Sequence, residues 1–374
     1  MFNLHDIRRD ELMLTGPFAY QGYDWWWHSF TGINEDTGEE RSFFIEFFVC
    51  NPAFGGRNPV FGQLEQSRRK KCKPSYLMVK AGCWGPEHMQ LHRFFAWDEV
   101  GICGSAPFRI SAADCLVSER QLKGSVSVSP EEAAAHPEWM CDSGSMSWDL
   151  EIDKLIAYNV GYGASAPLRA IKAFEMYWHA EGMKTAFSGT VTVNGQTWQV
   201  RPESCFGYAD KNWGRNFTSP WVWLSSNDLT SRVSGKRLEN SVFDIGGGCP
   251  KVFFVPLKRQ LLSAFYYEGT EYEFNFSKFW TGTKTRFASD ETDRLIRWYV
   301  RQENRDTVME TKLTCRKKDM LLINYEAPDG SKRHNRLWNG GNGRGTVTLT
   351  DKRTGRLIDD MIAEHVGCEY GEYC

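Results

Sequence analysis

The clearest strand signal in the chain is Ser188-Gly189-Thr190-Val191-Thr192-Val193-Asn194-Gly195-Gln196-Thr197-Trp198-Gln199-Val200. Apolar and polar residues alternate on both sides of Asn194-Gly195, as they do in strands with one covered face. Asn-Gly tolerates the positive φ angles of a type I′ turn, which joins antiparallel strands closely. The stretch therefore predicts a β-hairpin, and it sets the fold class that we expect for the chain.

Further strand signals lie on both sides of this hairpin. Residues 42–49 form an aromatic and β-branched run with a single carboxylate, Glu46, which predicts a strand covered on most of both faces. Residues 295–300 form another compact strand candidate. A second hairpin is expected where Asp329-Gly330 follows the apolar run 320–325. Many short strands separated by Gly, Asn and Asp turns predict antiparallel barrels or sandwiches.

Helix signals are few. Ser129 is an N-cap residue, followed by Pro130 and by Glu132 three residues after the cap, and Pro137 stops the pattern. This predicts one short helix. Residues 357–365 suit a helix or a strand by their apolar spacing, with the strand slightly favoured.

The charge balance and the aromatic content narrow the function classes. The 374 residues carry 45 Lys and Arg against 47 Asp and Glu, a net charge of −2, which lacks the electrostatic footprint of a nucleic-acid binder. Aromatic residues make up 14% of the chain, with 15 Trp. There is no apolar run of about 18 residues, and residues 1–9 lack the apolar core of a signal peptide. We expect a cytoplasmic protein without a transmembrane segment.

Metal and disulfide signals are weak. The 11 cysteines are odd in number and scattered, with no Cys-x-x-Cys pair, so we expect reduced thiols. His88 and His92 are four residues apart, but the residues before them support no helix that would bring the two rings together. No metal site is predicted.

Two tryptophan-rich segments, about half a chain apart, suggest two domains. Trp25-Trp26-Trp27 precedes the first strong strand, and Trp213 precedes a strand that begins at Trp221. Roughly 150 residues per domain is a usual size. We place the boundary near residue 185, which gives an N-terminal domain of residues 1–185 and a C-terminal domain of residues 186–374.

Residues 206–223 resemble the signature of the tocopherol cyclase family. Here an aromatic residue and an acid, Tyr208 and Asp210, precede Lys211-Asn212-Trp213-Gly214, and a short turn leads into Trp221-Val222-Trp223. Residues 23–27 are similar to the acid-Trp-Trp opening of the related carotenoid hydratases and lipocalin-like proteins, and Cys368-Glu369-Tyr370-Gly371 is similar to the carboxyl end of the family. The resemblance covers most of the chain in order, and the Lys-Asn-Trp-Gly block is its specific part.

The resemblance implies an all-β chain of two consecutive lipocalin-like antiparallel β-barrel or sandwich domains with few short helices. It also implies a hydrophobic substrate, such as an isoprenoid, a prenylated phenol or a polycyclic molecule, and chemistry without a redox cofactor or a metal. Plant cyclases carry glutamate where this chain has Asp210. The fold therefore transfers more safely than the substrate.

Cyclisation of a prenylated phenol, or hydration of an alkene, needs an acid that protonates carbon and surroundings that tolerate a cation. A carboxylic acid desolvated among tryptophans meets both needs, because burial raises its pKa and indole faces attract cations. Asp210 is the predicted acid, and Tyr208 and Asn212 are predicted to orient the phenol or water. The alternative is that Asn212-Trp213-Gly214 forms a tight turn in which Asp210 or Asn212 accepts backbone N–H groups.

The other candidate site residues have alternatives of their own. His28 is predicted as a proton carrier, since the pKa of histidine lies near neutrality, or as a hydrogen-bonded core residue. Glu46 is predicted as a substrate contact or as an inward ion-pair partner, because a lone buried carboxylate is costly. The predicted walls of the substrate site are Trp25, Trp26, Trp27, Trp213 and Trp223.

The sequence leaves two functions open. The leading hypothesis is a cofactor-independent cyclase, isomerase or hydro-lyase that works by proton transfer. The second is a non-catalytic carrier of a hydrophobic ligand, since barrels with apolar interiors often only hold ligands. The basic residues 68–73 favour a solvated loop, and peripheral membrane contact through them stays an alternative. The oligomeric state does not follow from the sequence.

Overall fold

The structure is a computed structural model that describes residues 10–62, 64–104, 107–158, 168, 171–253, 255–331 and 333–371. Most of these residues lie in antiparallel strands, which form two large sheets. The α-helices of the described residues are α1 Pro17–Tyr20, α2 Glu65–Lys70 and α3 Pro130–Ala135, with four to six residues each. The predicted all-β class with few short helices is therefore confirmed.

The first sheet contains twelve strands. They are β1 Tyr23–Ile33, β2 Glu40–Cys50, β3 Tyr76–Cys83, β4 Met89–Phe95, β5 Val100–Cys103, β6 Arg109–Ala112, β7 Cys115–Ser118, β8 Gln121–Val128, β9 Gly144–Tyr158, β10 Met176–Val193, β11 Gln196–Val200 and β12 Gly207–Gly214. Their order is β4-β3-β2-β1-β11-β10-β9-β8-β7-β6-β5, and β12 pairs with both β1 and β10. β12 and β11 therefore follow one another along the same gap between β1 and β10.

The second sheet contains eleven strands, and a separate two-stranded ribbon accompanies it. The strands are β13 Trp221–Ser226, β14 Asp228–Ser231, β15 Ser241–Gly248, β16 Lys251–Val252, β17 Val255–Pro256, β18 Gln260–Tyr267, β19 Thr270–Phe274, β20 Lys284–Glu291, β21 Leu295–Glu303, β22 Thr307–Arg316, β23 Leu321–Glu326, β24 Arg333–Asp351 and β25 Leu357–Gly371. β16 and β17 form the ribbon. β13 and β24 both pair with β25, which places β25 in the middle of the sheet.

Apolar side chains form three buried layers. The first sheet surrounds one core, which we call the first-sheet core, and the second sheet surrounds another. The third layer lies between the two sheets, where Trp25 and Trp27 of β1 belong to one cluster with Trp221 and Trp223 of β13. β1 and β2 are covered on both faces for this reason, and the prediction of a doubly covered strand at residues 42–49 is confirmed.

The two predicted hairpins are confirmed. In the first, Gly189 pairs with Val200 and Val193 with Gln196. Its turn residues Asn194 and Gly195 have φ angles of 47° and 83°, as a type I′ turn requires. In the second, β23 pairs with β24 across the segment that contains Asp329-Gly330.

Two of the remaining local predictions are confirmed, and one is wrong. The Ser129 hydroxyl accepts a hydrogen bond from the Glu132 backbone N–H at 3.1 Å and caps α3, as predicted. Residues 357–365 lie in β25, so the favoured strand is confirmed. A loop throughout residues 68–73 is wrong, because the exposed residues Arg68–Lys70 belong to α2, where Glu65 and Arg69 form an ion pair one turn apart. In the described part of the chain, no helix has the length and apolar character needed to cross a membrane.

The pairing of the strands into two sheets suggests a domain boundary other than residue 185. Residue 185 lies inside β10, which runs without a break from Met176 to Val193. Strands β10 and β12 pair with each other and with β9 and β1, so they belong to the first sheet. The chain changes sheet between Gly214 and Trp221. We therefore propose that the N-terminal domain extends to Gly214 rather than to residue 185.

Candidate active site

Asp210 lies in the middle of β12, at the seam between the two sheets. Asp210 is directly opposite Trp27 of β1, and Asn212 is opposite Trp25. The alternative of a tight turn at Asn212 is wrong, because this segment is extended and hydrogen-bonded to strands on both sides. Since side chains alternate along a strand, Tyr208, Asp210 and Asn212 share the face that points toward the second sheet.

The Asp210 carboxyl is almost fully enclosed, with 8% of the residue exposed. The Trp178 indole N–H donates to its Oδ2 at 2.7 Å, and the Tyr208 hydroxyl lies 3.3 Å from the same oxygen. Its Oδ1 has no hydrogen-bond partner among the described residues. Burial raises the pKa of Asp210 well above its usual range, and the nearby Asp244 raises it further. The environment therefore favours the protonated acid over the carboxylate.

A second buried aspartate, Asp244 of β15, lies across the seam. The Tyr208 hydroxyl donates to Asp244 Oδ2 at 3.0 Å, and the Trp223 indole N–H donates to Asp244 Oδ1 at 3.0 Å. Burial raises the pKa of Asp244 well above its usual range, although these donors act in the opposite direction. Tyr208 thus bridges two acids that come from different sheets.

A third acid, Glu369 of β25, is held by two donors. The Trp221 indole N–H donates to its Oε2 at 2.7 Å, and the Asn339 amide donates to its Oε1 at 2.7 Å. Burial raises the pKa of Glu369 from 4.5 to about 7, and the negative charge of Glu46 contributes to the rise. Glu369 can therefore gain or lose a proton near neutral pH.

A small cavity lies where these groups meet. We call it the acid chamber. Its lining residues are Trp25, Trp27, Asp210, Trp221, Trp223, Tyr325 and Glu369. Two acids from opposite sheets thus face a space with indole walls, and an indole face stabilises a desolvated cation by roughly 2 kcal/mol or more. The arrangement can donate a proton, tolerate a cation and accept a proton.

Three of the predicted site residues point away from the acid chamber. Trp26 and Trp213 belong to the first-sheet core, where the Lys211 ammonium lies 3.8 Å from the centre of the Trp26 ring. His28 is buried, with its Nε2 3.9 Å from Glu181 Oε1, and burial lowers the pKa of His28 to about 4. Strand alternation therefore separates Trp26, His28 and Trp213 from the predicted acid.

Two other predicted residues lie beside the chamber without lining it. Asn212 accepts a hydrogen bond from the Tyr23 hydroxyl at 2.7 Å. Glu46 and Lys80 are fully buried and form an ion pair at 3.1 Å, so the ion-pair alternative for Glu46 is confirmed. The Tyr325 hydroxyl donates to Glu46 Oε2 at 3.2 Å. Because Tyr325 lines the acid chamber, this hydrogen bond links Glu46 to the chamber wall.

Another acidic cluster lies at the first sheet and offers three carboxylates to a metal ion. Asp10, Glu119 and Glu181 bring carboxylate oxygens within 4.8 Å of one another. The Lys154 ammonium lies among them, 3.0 Å from Asp10, 2.9 Å from Glu119 and 3.0 Å from Glu181. Because the lysine already supplies the positive charge at the position a cation would take, these residues do not fit a metal ion.

Asp244 and Glu369 are functional candidates that the sequence predictions missed. Asp244 interrupts the apolar run Val242–Ile245, just as Glu46 interrupts residues 42–49, so the same signal could have found it. Glu369 lies inside the carboxyl-terminal segment that carried the family resemblance, but nothing local marks it as an acid of the site. Its position beside Trp221 depends on the pairing of β13 with β25.

Solved structures that are similar to this chain include two with low sequence identity. One, from Nitrosomonas europaea and described as AttH, has 12% sequence identity over 95% of this chain and 93% of its own, with a TM-score of 0.42. Kievitone hydratase from Nectria haematococca has 13% identity over 95% of this chain and 91% of its own, with a TM-score of 0.47. No curated protein matches the chain.

The fold and the site together define an all-β chain with buried acids at the seam of two antiparallel sheets. The family model described as tocopherol cyclase-like matches residues 119–372, a range that includes Asp210, Asp244 and Glu369. The match covers more than half of the chain. The chain belongs to the tocopherol cyclase-like family, as the resemblance of residues 206–223 predicted.

Proposed function

We propose that this protein is an enzyme that moves protons on a hydrophobic small molecule, such as an isoprenoid, a prenylated phenol or a polycyclic compound. The reaction class is that of a cyclase, an isomerase or a hydro-lyase. The single observation that carries the proposal is the Asp210 carboxyl, which is buried at an indole-walled cavity with one oxygen unpartnered among the described residues. Membership of the tocopherol cyclase-like family supports the same class of chemistry.

In the proposed reaction, protonated Asp210 transfers its proton to one carbon of a carbon–carbon double bond. The second carbon becomes cationic, and the faces of Trp25, Trp27 and Trp223 stabilise it. A hydroxyl oxygen, from the substrate itself or from water, then bonds to that carbon. Glu369 takes the proton that this oxygen releases, since its pKa of about 7 suits a base near neutral pH.

Proton balance requires that the proton returns to Asp210 before the next turnover. No electrons are transferred in this scheme, so it calls for no redox cofactor. The Trp178 indole N–H donates to the carboxylate that forms when Asp210 gives up its proton. Charge-assisted hydrogen bonds of this kind are stronger than neutral ones, so Trp178 assists the first step.

The test is turnover of a panel of prenylated quinols and alkenes by the wild type and by Asp210→Asn. We expect the variant to lose activity by about 100-fold or more, the usual contribution of a general acid. Asp359→Asn is the matched control, because Asp359 is also buried and hydrogen-bonded, to Ser231 and Tyr267. Equal rates for wild type and Asp210→Asn on a converted substrate would remove Asp210 from the mechanism.

A hydrophobic carrier is the second candidate function. It is favoured by an apolar cavity that adjoins the acid chamber, with Trp178 among its walls and Trp221 common to both cavities. Native mass spectrometry of the freshly purified chain distinguishes the two candidates. A carrier would release a stoichiometric lipophilic ligand unchanged, whereas an enzyme would convert members of the substrate panel.

A further inference from the structure

Several large apolar side chains are exposed close to one another, around α1 and the ribbon of β16 and β17. The Tyr20 ring packs edge-on against the Phe54 ring, with the ring centres 6.0 Å apart, and each residue is about half exposed. On the ribbon, Phe253 is 48% and Val255 63% exposed. Exposed apolar side chains that cluster, rather than lie singly, mark an interaction surface.

Two contacts join α1 to the ribbon. The Lys172 ammonium lies 4.5 Å from the centre of the Phe18 ring in α1. Next to Lys172 in the chain, Ile171 is 57% exposed. The Phe253 backbone N–H donates to the Ala173 carbonyl at 2.7 Å. The exposed residues of α1 and those of the ribbon are therefore neighbouring parts of one surface.

The same surface carries a run of cations. The Lys73 ammonium lies 5.9 Å from the centre of the Phe54 ring and donates to the Gln21 side chain at 3.0 Å. Lys73 follows the basic end of α2, where residues 68–71 are all exposed cations. We call this surface the basic face, and it consists of Tyr20, Phe54 and residues 68–73, 171–172, 251–253 and 255.

Few acids offset these cations. Among the described residues, the ion pairs that the cations of the basic face form are those of Arg69 with Glu65 and of Lys251 with Glu175. The chain as a whole has a net charge of −2, so the concentration of cations is local. The basic face therefore combines a positive charge with exposed apolar side chains.

This combination selects the kind of partner. A nucleic acid would use the cations, but Ile171 and Val255 offer no ring on which a base could stack. An anionic bilayer uses both features, because its phosphate groups attract Lys and Arg while apolar side chains enter the boundary between headgroups and acyl chains. We infer that the basic face binds the surface of an anionic lipid membrane.

The ribbon connects this surface to the apolar cavity beside the acid chamber. Phe174 and Pro250 line that cavity, and Phe174 pairs with Val252 of the ribbon. A chain bound through the basic face therefore holds the edge of the cavity next to the bilayer, from which a hydrophobic molecule can enter. The inference goes beyond the proposed function, because membrane binding does not depend on Asp210.

Vesicle flotation of the 374-residue chain tests the inference. The probes are vesicles of phosphatidylcholine alone and vesicles that also contain about 30% phosphatidylglycerol. At about 0.05 M salt the wild type should bind the anionic vesicles at least about tenfold more tightly than the neutral ones, and about 0.5 M salt should weaken this binding by screening. No binding to the anionic vesicles at low salt, or equal binding to both kinds, would overturn the inference.

A change of four residues to glutamine removes cations from the basic face, namely Arg68, Arg69, Lys70 and Lys71. It should weaken binding to the anionic vesicles by about 100-fold or more, since each cation near such a surface contributes several-fold. The matched control changes four cations in hairpin turns of the second sheet to glutamine, namely Lys236, Arg294, Arg353 and Arg356. The control should bind as the wild type does, and equal losses in both variants would overturn the inference.

The apolar part is tested without a change of charge. Phe54→Ser combined with Phe253→Asn should weaken binding to anionic vesicles about tenfold, because less apolar surface enters the bilayer. Asparagine suits position 253, where φ is 56°. Val233→Ser combined with Leu357→Ser is the control, since these residues are also exposed, at 66% and 47%. Binding unchanged by loss of Phe54 and Phe253 would overturn the lipid in favour of a purely anionic partner.

Hydrogen exchange of the wild type decides the matter where a variant fails to fold. Anionic vesicles should slow exchange of the backbone amides at residues 68–73 and 251–253, and an effect elsewhere or none at all would overturn the inference. Asp210→Asn separates the inference from the proposed function. This variant should bind anionic vesicles as the wild type does, whether or not it turns over substrate.

Discussion

The pH dependence of stability tests whether the fold holds the Glu369 carboxyl at a raised pKa. In the folded chain the pKa of Glu369 is about 7, against 4.5 for an ordinary glutamate. Between these pH values the folded state keeps a proton that the unfolded state has lost, so the contribution of Glu369 to stability is lost as the pH rises. One pKa unit corresponds to about 1.4 kcal/mol, so the rise from 4.5 to about 7 corresponds to roughly 3–4 kcal/mol at most.

Glu369→Gln removes this dependence. The free energy of unfolding of the variant, minus that of the wild type, should rise by roughly 3–4 kcal/mol from below pH 4.5 to above pH 7 and then level off. The glutamine also alters the hydrogen bonds from Trp221 and Asn339, but that effect is a constant offset with pH. The prediction therefore concerns only how the difference in the free energy of unfolding changes with pH.

Urea unfolding followed by tryptophan fluorescence at several pH values measures this difference. Glu151→Gln, on the exposed face of β9, controls for the loss of a carboxylate at the surface. A difference between Glu369→Gln and wild type that stays flat from pH 4.5 to pH 8 would refute the reasoning, because it would mean that Glu369 titrates alike in both states.

Three other substitutions follow from the same contacts. Trp178→Phe removes the hydrogen-bond donor to Asp210. Turnover should fall about tenfold, because one charge-assisted hydrogen bond is lost. An unchanged turnover rate would contradict this role of Trp178. Lys154→Met leaves two buried carboxylates, Asp10 and Glu181, and the half-buried Glu119 without their cation. It should cost about 3–5 kcal/mol in urea unfolding at pH 7, with recovery at lower pH, and a loss below about 1 kcal/mol would argue against the cluster. Lys80→Met should lower the free energy of unfolding by a similar amount, and the second substitution Glu46→Leu should restore part of this lost stability. A double variant whose loss of stability equals the sum of the two single losses would contradict a buried ion pair.

Much of the fold could be predicted because its signals are local. The Asn194-Gly195 turn, the Ser129 cap and the apolar strand at residues 42–49 depend on near neighbours in sequence, and each is present in the structure. The domain boundary was harder to place, since the pairing of β12 with β1 joins residues that are far apart in the chain.

The candidate site could be predicted only in part, for two physical reasons. First, residues that are consecutive in a strand point to opposite faces. Trp25 and Trp27 therefore line the acid chamber, while Trp26 lies in the first-sheet core. The prediction that all three tryptophans form one wall of the substrate site is wrong for this reason. Second, Asp210 and Glu369 meet only because two sheets pack face to face, and no local pattern encodes that contact.

The turn alternative for Asp210 was wrong for a related reason. Asn and Gly favour turns when the backbone is exposed, but here Asn212 is fully buried and paired on both sides. Strand pairing satisfies its backbone, and the Tyr23 hydroxyl satisfies its side-chain oxygen. Tertiary contacts thus override the local preference.

The central claim is that the protein holds the Asp210 carboxyl in its protonated form among tryptophans at neutral pH. Carbon-13 NMR of protein labelled at the aspartate carboxyl groups measures this directly, and the Asp210 signal is the one that Asp210→Asn removes. The account predicts a signal at the position of a protonated acid at pH 7, unchanged between pH 5 and pH 7. A signal at the carboxylate position at pH 7 would contradict it.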